Sequence, residues 1–172
     1  MLSVETEALH PSTASCLGAL SWLHATTDCQ NVLDMGCGNG ILSAVAASLW
    51  HARVTAADIA EQALKDSHDH LSRHGLLEKV TLLRSDGFTN PEITRRAPYD
   101  VIICNLLAEL QIRLARDCLR HLSPGGHLIL SGIMQWKLQE ITMAYKSLGF
   151  AILHHRSSSP WDTLVLRHTT VT

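Results

Sequence analysis

The chain has 172 residues, 46% of them hydrophobic, with a formal net charge of -2 at pH 7. That length and apolar content suit one α/β domain with a sizeable core, so residues 1–172 are expected to form a single domain. The near-neutral balance supplies no bulk field for holding a polyanion, so direct nucleic-acid binding is not expected.

Residues 11–25, opening on His10-Pro11, read as a helix. Strand-like and helix-like stretches then alternate over residues 30–168. The first strand is 31–36, and a helix rich in alanine, leucine and serine follows over 40–50. The second strand is 53–58, the second helix 60–74 and the third strand 80–86. A loop carrying Pro91 and Pro98 leads to the fourth strand, 99–105. A long helix over 107–122 is stopped by the turn signature Ser123-Pro124-Gly125-Gly126. The fifth strand is 127–132, and Gly149 ends the next helix, 134–148. Strands 150–157 and 163–168 close the chain, with Pro160 at the turn between them.

This alternation predicts a parallel sheet with helices on both faces, and the strands are apolar on both sides as buried parallel strands must be. The last two strands leave no room for a crossover helix and should pair as an antiparallel hairpin at a sheet edge. The expected fold is a Rossmann-like α/β domain around a seven-stranded, mostly parallel sheet.

Five cysteines, Cys16, Cys29, Cys37, Cys104 and Cys118, form no Cys-x-x-Cys pair. They argue against a disulfide framework or a zinc site and for a reducing, cytoplasmic setting. Their expected role is small apolar filling. His70 and His74 share helical i,i+4 spacing, but no carboxylate or cysteine pattern completes a metal site, and none is expected. No secretory signal opens the chain. The longest nearly apolar run, 41–50, is too short for a bilayer core of ~30 Å, so no membrane association is expected.

The chemistry concentrates between the first strand and the first helix of the core, where Asp34, Gly36, Gly38 and Gly40 alternate with other residues. Glycines there permit a tight turn and close approach of a ligand, and the following helix directs N–H groups toward it. A dinucleotide fold needs the spacing G-x-G-x-x-G, whereas Ile41 follows Gly40 and the third glycine comes one residue early. A nicotinamide oxidoreductase is disfavoured on that ground. Asp58 ends the second strand and can accept both hydroxyls of a ribose, or else stabilise the dipole of the helix after it. Asp86 and Gly87 stand at the end of the third strand. Asn105 closes the fourth, where ligands bind in such sheets; as a helix N-cap it would have a purely local role.

The stretch from Asp34 to Gly40 resembles the first motif of class I S-adenosylmethionine-dependent methyltransferases. Asn105-Leu106-Leu107-Ala108 and His10-Pro11-Ser12-Thr13 further resemble signatures of the bacterial ribosomal-protein lysine methyltransferases, the PrmA family. So do Ser123 to Gly126, the run Leu130 to Met134, Trp161, and Leu164 to Arg167, and the similarity extends over residues 10–167. The resemblance implies S-adenosylmethionine as cofactor and S-adenosylhomocysteine as product. The cofactor-binding residues it implies are Thr13, Asp34, Gly36, Cys37, Gly38 and Gly40, then Asp58, Ile59, Asp86, Gly87 and Asn105. Thr13 would lie near the methionine end and Asn105 near the transferred methyl. The implied reaction is methyl transfer to an amine nitrogen of a protein lysine or N-terminus, with a ribosomal protein as the partner.

Two departures stand out. Residues 6–9 replace the family's glycine-threonine-glycine turn before the histidine. The chain also has no sequence for the separate N-terminal domain with which the family presents its substrate. The alternatives are a small-molecule methyltransferase and a non-catalytic S-adenosylmethionine-binding module. Leu106 and Leu107 stand where adenine and glutamine N-methyltransferases carry prolines, which argues against those acceptors. Asn105 can orient an amine through its carbonyl but cannot serve as a base, and His10 is the alternative proton acceptor. Asn105 and His10 are the expected catalytic residues.

Overall fold

The computed structural model describes residues 9–169. Residues 6–8 of the altered turn before His10 lie outside them. The elements in chain order are α1 (Pro11–His24), β1 (Asn31–Met35), α2 (Ile41–Leu49), β2 (Arg53–Asp58), α3 (Glu61–Arg73), β3 (Val80–Arg84), α4 (Pro91–Arg96), β4 (Tyr99–Asn105), α5 (Ala108–His121), β5 (Leu122–Met134), α6 (Leu138–Lys146), β6 (Phe150–Ser158) and β7 (Trp161–His168). Seven strands form one sheet in the order β3-β2-β1-β4-β5-β7-β6. The first five run parallel; β7 is antiparallel to both β5 and β6. The mostly parallel sheet with an antiparallel terminal hairpin is therefore as expected.

Successive side chains of a strand point to opposite faces, and both faces are covered. Val32, Val101, Ile103, Ile129 and Val165 pack with α1, α2 and α3. Their sequence neighbours Leu33, Ile102, Leu128, Leu130 and Leu164 pack with α5 and α6 on the other side. Leu20 and Leu23 of α1 are fully buried, each worth roughly 1.5–3 kcal/mol. They hold that helix, and hence Thr13 near its start, against the sheet.

Three elements differ from expectation. The loop after β3 contains α4, whose cap was present in the sequence: Asn90 Oδ1 accepts from Glu92 N at 2.9 Å, with Pro91 in the first turn. The Ser-Pro-Gly-Gly stretch does not end pairing. Leu122 already pairs with Tyr99 and His127 with Val101, so residues 123–126 loop out of β5 as a bulge, with Gly125 at φ +72°. The helix expected over 134–148 begins as a 3-10 turn at Gln135–Lys137 and becomes α-helical only in α6. Among the described residues no helix is long and apolar enough to cross a membrane, and no group of three or more metal-ligating side chains converges.

Candidate functional site

The C-terminal ends of β1, β2, β3 and β4 gather the polar residues singled out from the sequence. The turn after β1 folds back onto β2, with Gly36 N and Cys37 N both donating to Ala57 O at 2.7 and 3.0 Å. Gly38 N donates to Asp58 Oδ2 at 3.0 Å, and Ala60 N donates to Asp58 Oδ1 at 2.9 Å. Asp58 is thus oriented by one N–H on each oxygen, which leaves further lone pairs on both for a ligand.

The three glycines of this turn have positive φ for different surroundings. A Cβ at Gly36 would strike the Leu106 side chain, and one at Gly40 would come within 3.2 Å of the Ser67 backbone on α3. At Gly38 a Cβ would meet no described atom within 4 Å. Gly36 and Gly40 therefore close the turn against its neighbours, and Gly38 is the glycine that faces open space. Gly40 caps α2 in a left-handed conformation and has no side chain to cap with, and the first N–H of the helix, Ile41 N, donates to Asn39 Oδ1 at 3.4 Å. This open turn, with the half-buried Asp58 carboxylate beside it, fits the polar sugar and amino-acid portions of S-adenosylmethionine.

Asp34 lies beneath the turn and is fully buried. Ser43 Oγ of α2 donates to its Oδ2, while Oδ1 has no partner among the described residues. Burial pushes its carboxyl up to about 6, against the opposing pull of the Ser43 bond. Cys37 is buried as well, its thiol pushed up to about 12, chiefly by burial. It fills space here while its backbone N–H shapes the turn.

The other expected residues line the rim. Ile59, directly after β2, is 59% exposed. Asp86 stands two residues beyond the end of β3 rather than on the strand, its exposed carboxylate 3.6 Å from Arg113 Nη2. Gly87 takes φ +56° where a Cβ would press on Leu114. Its carbonyl accepts from Ser85 Oγ at 2.7 Å.

Asn105 and Thr13, 92 positions apart, meet at the end of β4, where Asn105 Nδ2 donates to Thr13 Oγ1 at 3.3 Å. The N-cap of α5 is Leu107, so Asn105 is free of the capping role. His10 is the N-cap of α1. Its Nδ1 accepts from Ser12 N at 3.4 Å and lies 2.8 Å from Ser12 Oγ, and its ring meets Trp161 edge-on at 5.2 Å. No described hydrogen bond joins His10 to Asn105.

Four further residues surround this centre: Ser15 and Thr163, and Ser131 and Gly132 from the run Leu130 to Met134, none of them expected as a site residue. Ser131 Oγ donates to Ser12 O at 2.9 Å and contacts Thr163 Oγ1 at 2.7 Å, and Thr163 Oγ1 donates to Ser15 Oγ at 2.8 Å. This buried hydroxyl chain ties α1 to β5 and β7. Gly132, at φ +74°, leaves the space that Asn105 Oδ1 occupies, since a Cβ there would come within 2.9 Å of it. Periodicity cannot report such contacts, because each joins segments that only the sheet brings together.

Residues 8–169 match the model of the family described as ribosomal protein L11 methyltransferase (PrmA). The ribosomal protein L11 methyltransferase of Bradyrhizobium diazoefficiens is 32% identical over 173 residues, covering 96% of this chain and 59% of that protein. That of Chromohalobacter salexigens is 37% identical over 143 residues, covering 83% of this chain and 46% of that protein. The chain thus spans about half the length of the curated relatives it matches. A crystal structure of the ribosomal protein L11 methylase from Lactobacillus delbrueckii subsp. bulgaricus superposes with a TM-score of 0.85 at 24% identity, over 94% of this chain and 80% of that one. The fold is that of class I methyltransferases.

Proposed function

The chain belongs to the ribosomal protein L11 methyltransferase (PrmA) family, and on that premise we propose that it transfers a methyl group from S-adenosylmethionine to a protein amine. The acceptor is a lysine side chain or N-terminus, with ribosomal protein L11 as the first substrate to test. The observation that carries the reading is the Asn105–Thr13 contact at the end of β4, beside the open glycine turn and Asp58. A dinucleotide oxidoreductase would need neither the early third glycine nor a polar amide at that strand end.

When bound, S-adenosylmethionine supplies an electrophilic methyl on a cationic sulfur. Asp58 would hold the ribose through its two oxygens, Gly38 would let the ligand approach the backbone, and Ile59 would offer apolar surface to the base. Asp86 and Gly87 present a carboxylate and backbone groups for the base edge. Asn105, oriented by Thr13, receives a hydrogen bond from the acceptor amine and aims its lone pair. The amine must arrive neutral, which for a lysine of reference pKa ~10.4 costs about 4.6 kcal/mol at pH 7. Withdrawal from water beside a cation reduces that cost by disfavouring the ammonium. Positioning supplies the rest of the rate, as effective molarities of ~10⁵–10⁸ M for well-oriented groups allow. His10 Nδ1 accepts the capping bond from Ser12 N, so in the neutral ring Nε2 carries the hydrogen and the capped form has no nitrogen left to accept a proton.

The test is incubation with methyl-labelled S-adenosylmethionine and either purified ribosomal protein L11 or total ribosomal protein. Label in the L11 band supports the proposal. Label confined to a small-molecule fraction, or none despite measured cofactor binding, refutes the protein-acceptor assignment.

A further inference from the structure

Gln111 sits on the stripe of α5 that faces the core, with Ala108, Leu114, Ala115 and Cys118, and is fully buried. An amphipathic helix places apolar side chains on that stripe, and a buried amide needs partners to offset its desolvation. Gln111 Nε2 donates to Leu106 O at 2.5 Å and to Ser131 O at 2.6 Å. Its own Oε1 has no partner among the described residues. An apolar residue would fill this position without leaving a buried acceptor orphaned, so the amide's purpose is the pair of carbonyls that it joins.

Those carbonyls belong to the two segments that frame Asn105. Leu106 follows Asn105 directly, and Ser131 lies opposite Asn105 in the β4–β5 register. Gly132, next to Ser131, faces Asn105 Oδ1 and the Leu106 carbonyl, which a Cβ would approach to 2.9 and 3.1 Å. The clamp is itself anchored, since Tyr145 OH of α6 donates to Gln111 O at 2.8 Å. We propose that Gln111 is a positioning residue that acts through Asn105. By pinning the Leu106 carbonyl to the end of β5, it fixes the backbone from which the Asn105 amide projects toward Thr13 and the acceptor.

This inference rests on the proposed role of Asn105 in methyl transfer, so its first readout does not depend on activity. The side-chain amide pair of Asn105 is identified in the amide spectrum of the 15N-labelled protein by its loss in Asn105→Ala. In Gln111→Met, which keeps the volume and removes both donors, that pair should shift or broaden. The Trp50 indole, bonded to Thr27 O at 2.7 Å, should stay in place as a report on the fold. If Gln111→Met does not fold, Gln111→Glu, which keeps the shape and one donor when protonated, is read in the same way. An Asn105 pair at its original position in a folded variant overturns the proposal.

The second readout is turnover. Gln111→Met should lower kcat by roughly ten- to a hundredfold, the scale of a small misplacement of a reacting group, with cofactor Kd changed less than about threefold. The same change in an Asn105→Ala background should cost little more, because both act through one group. Equal losses in the two backgrounds overturn the proposal. A wild-type protein that transfers no methyl to any protein would refute the proposed function instead, while the amide spectrum still decides the role of Gln111.

Discussion

Asp34→Asn removes a buried charge while keeping an oxygen for the Ser43 hydroxyl. Burial lifts the Asp34 carboxyl from 3.8 to about 6 in the folded chain. Well below pH 3.8 both folded and unfolded chains hold the proton, and the site costs nothing. As pH rises from about 3.8 to about 6, the unfolded chain releases the proton first and the folded state loses stability; above about 6 the penalty is complete. A gap of this size corresponds to about 3 kcal/mol. Asparagine places its NH2 where Oδ1 now lacks a partner, a cost of about 1–3 kcal/mol that does not vary with pH. The pH dependence is therefore the clean readout. Urea unfolding should show Asp34→Asn gaining about 2–3 kcal/mol relative to wild type between pH 4 and pH 8. The same carboxylate favours a cationic ligand once ionised, so wild-type affinity for S-adenosylmethionine should rise from pH 5 to pH 7. Asp34→Asn should bind more weakly and without that slope in calorimetry. An unchanged stability difference at pH 4 and pH 8 would refute the argument that burial dominates this carboxyl.

Asp58→Ala removes the acceptor of two backbone bonds and the proposed ribose contact. Calorimetry should show cofactor affinity reduced by roughly ten- to a hundredfold, since a bond to a charged group is worth about 1.5–3 kcal/mol. Gly40→Ala should lower the melting temperature more than Gly38→Ala. Both pay about 1–2 kcal/mol for a left-handed alanine, but only Gly40 meets the Ser67 backbone, and the reverse order would contradict the packing described here. Asn105→Ala should cut turnover far more than cofactor affinity, and equal loss in both would remove its assigned role. His10→Ala should cost about 1 kcal/mol of stability through the lost cap; disappearance of a limb of the pH–rate profile would instead give His10 a proton-transfer role.

Much of the fold was written locally. Alternating apolar strands, helix-forming runs and Gly/Pro punctuation located all seven strands, because period and breakers are properties of contiguous residues. The absence of a crossover between the last two strands even specified their antiparallel pairing. The helix α4 is legible too, in Asn90, Pro91 and Glu92, although Pro91 and Pro98 at its two ends equally suit a loop. The outlooped residues 123–126 were not legible, because only pairing with Tyr99 and Val101 distinguishes a bulge from a strand end.

The site divides along the same line. The order of Asp34, Gly36, Gly38, Gly40 and Asp58 is set by one strand-turn-helix unit and the strand after it, so sequence spacing alone determined that an open glycine turn forms there beside a carboxylate. Tertiary structure decided which glycine faces open space and which close the turn, since that depends on Leu106 and Ser67 arriving from other elements. It also decided that Asn105 meets Thr13 and that Gln111, an unremarkable polar residue in sequence, joins the carbonyls of Leu106 and Ser131. Hydrogen bonds between distant segments leave no periodic trace; they exist only once the sheet has brought β4, β5 and α1 to a common edge.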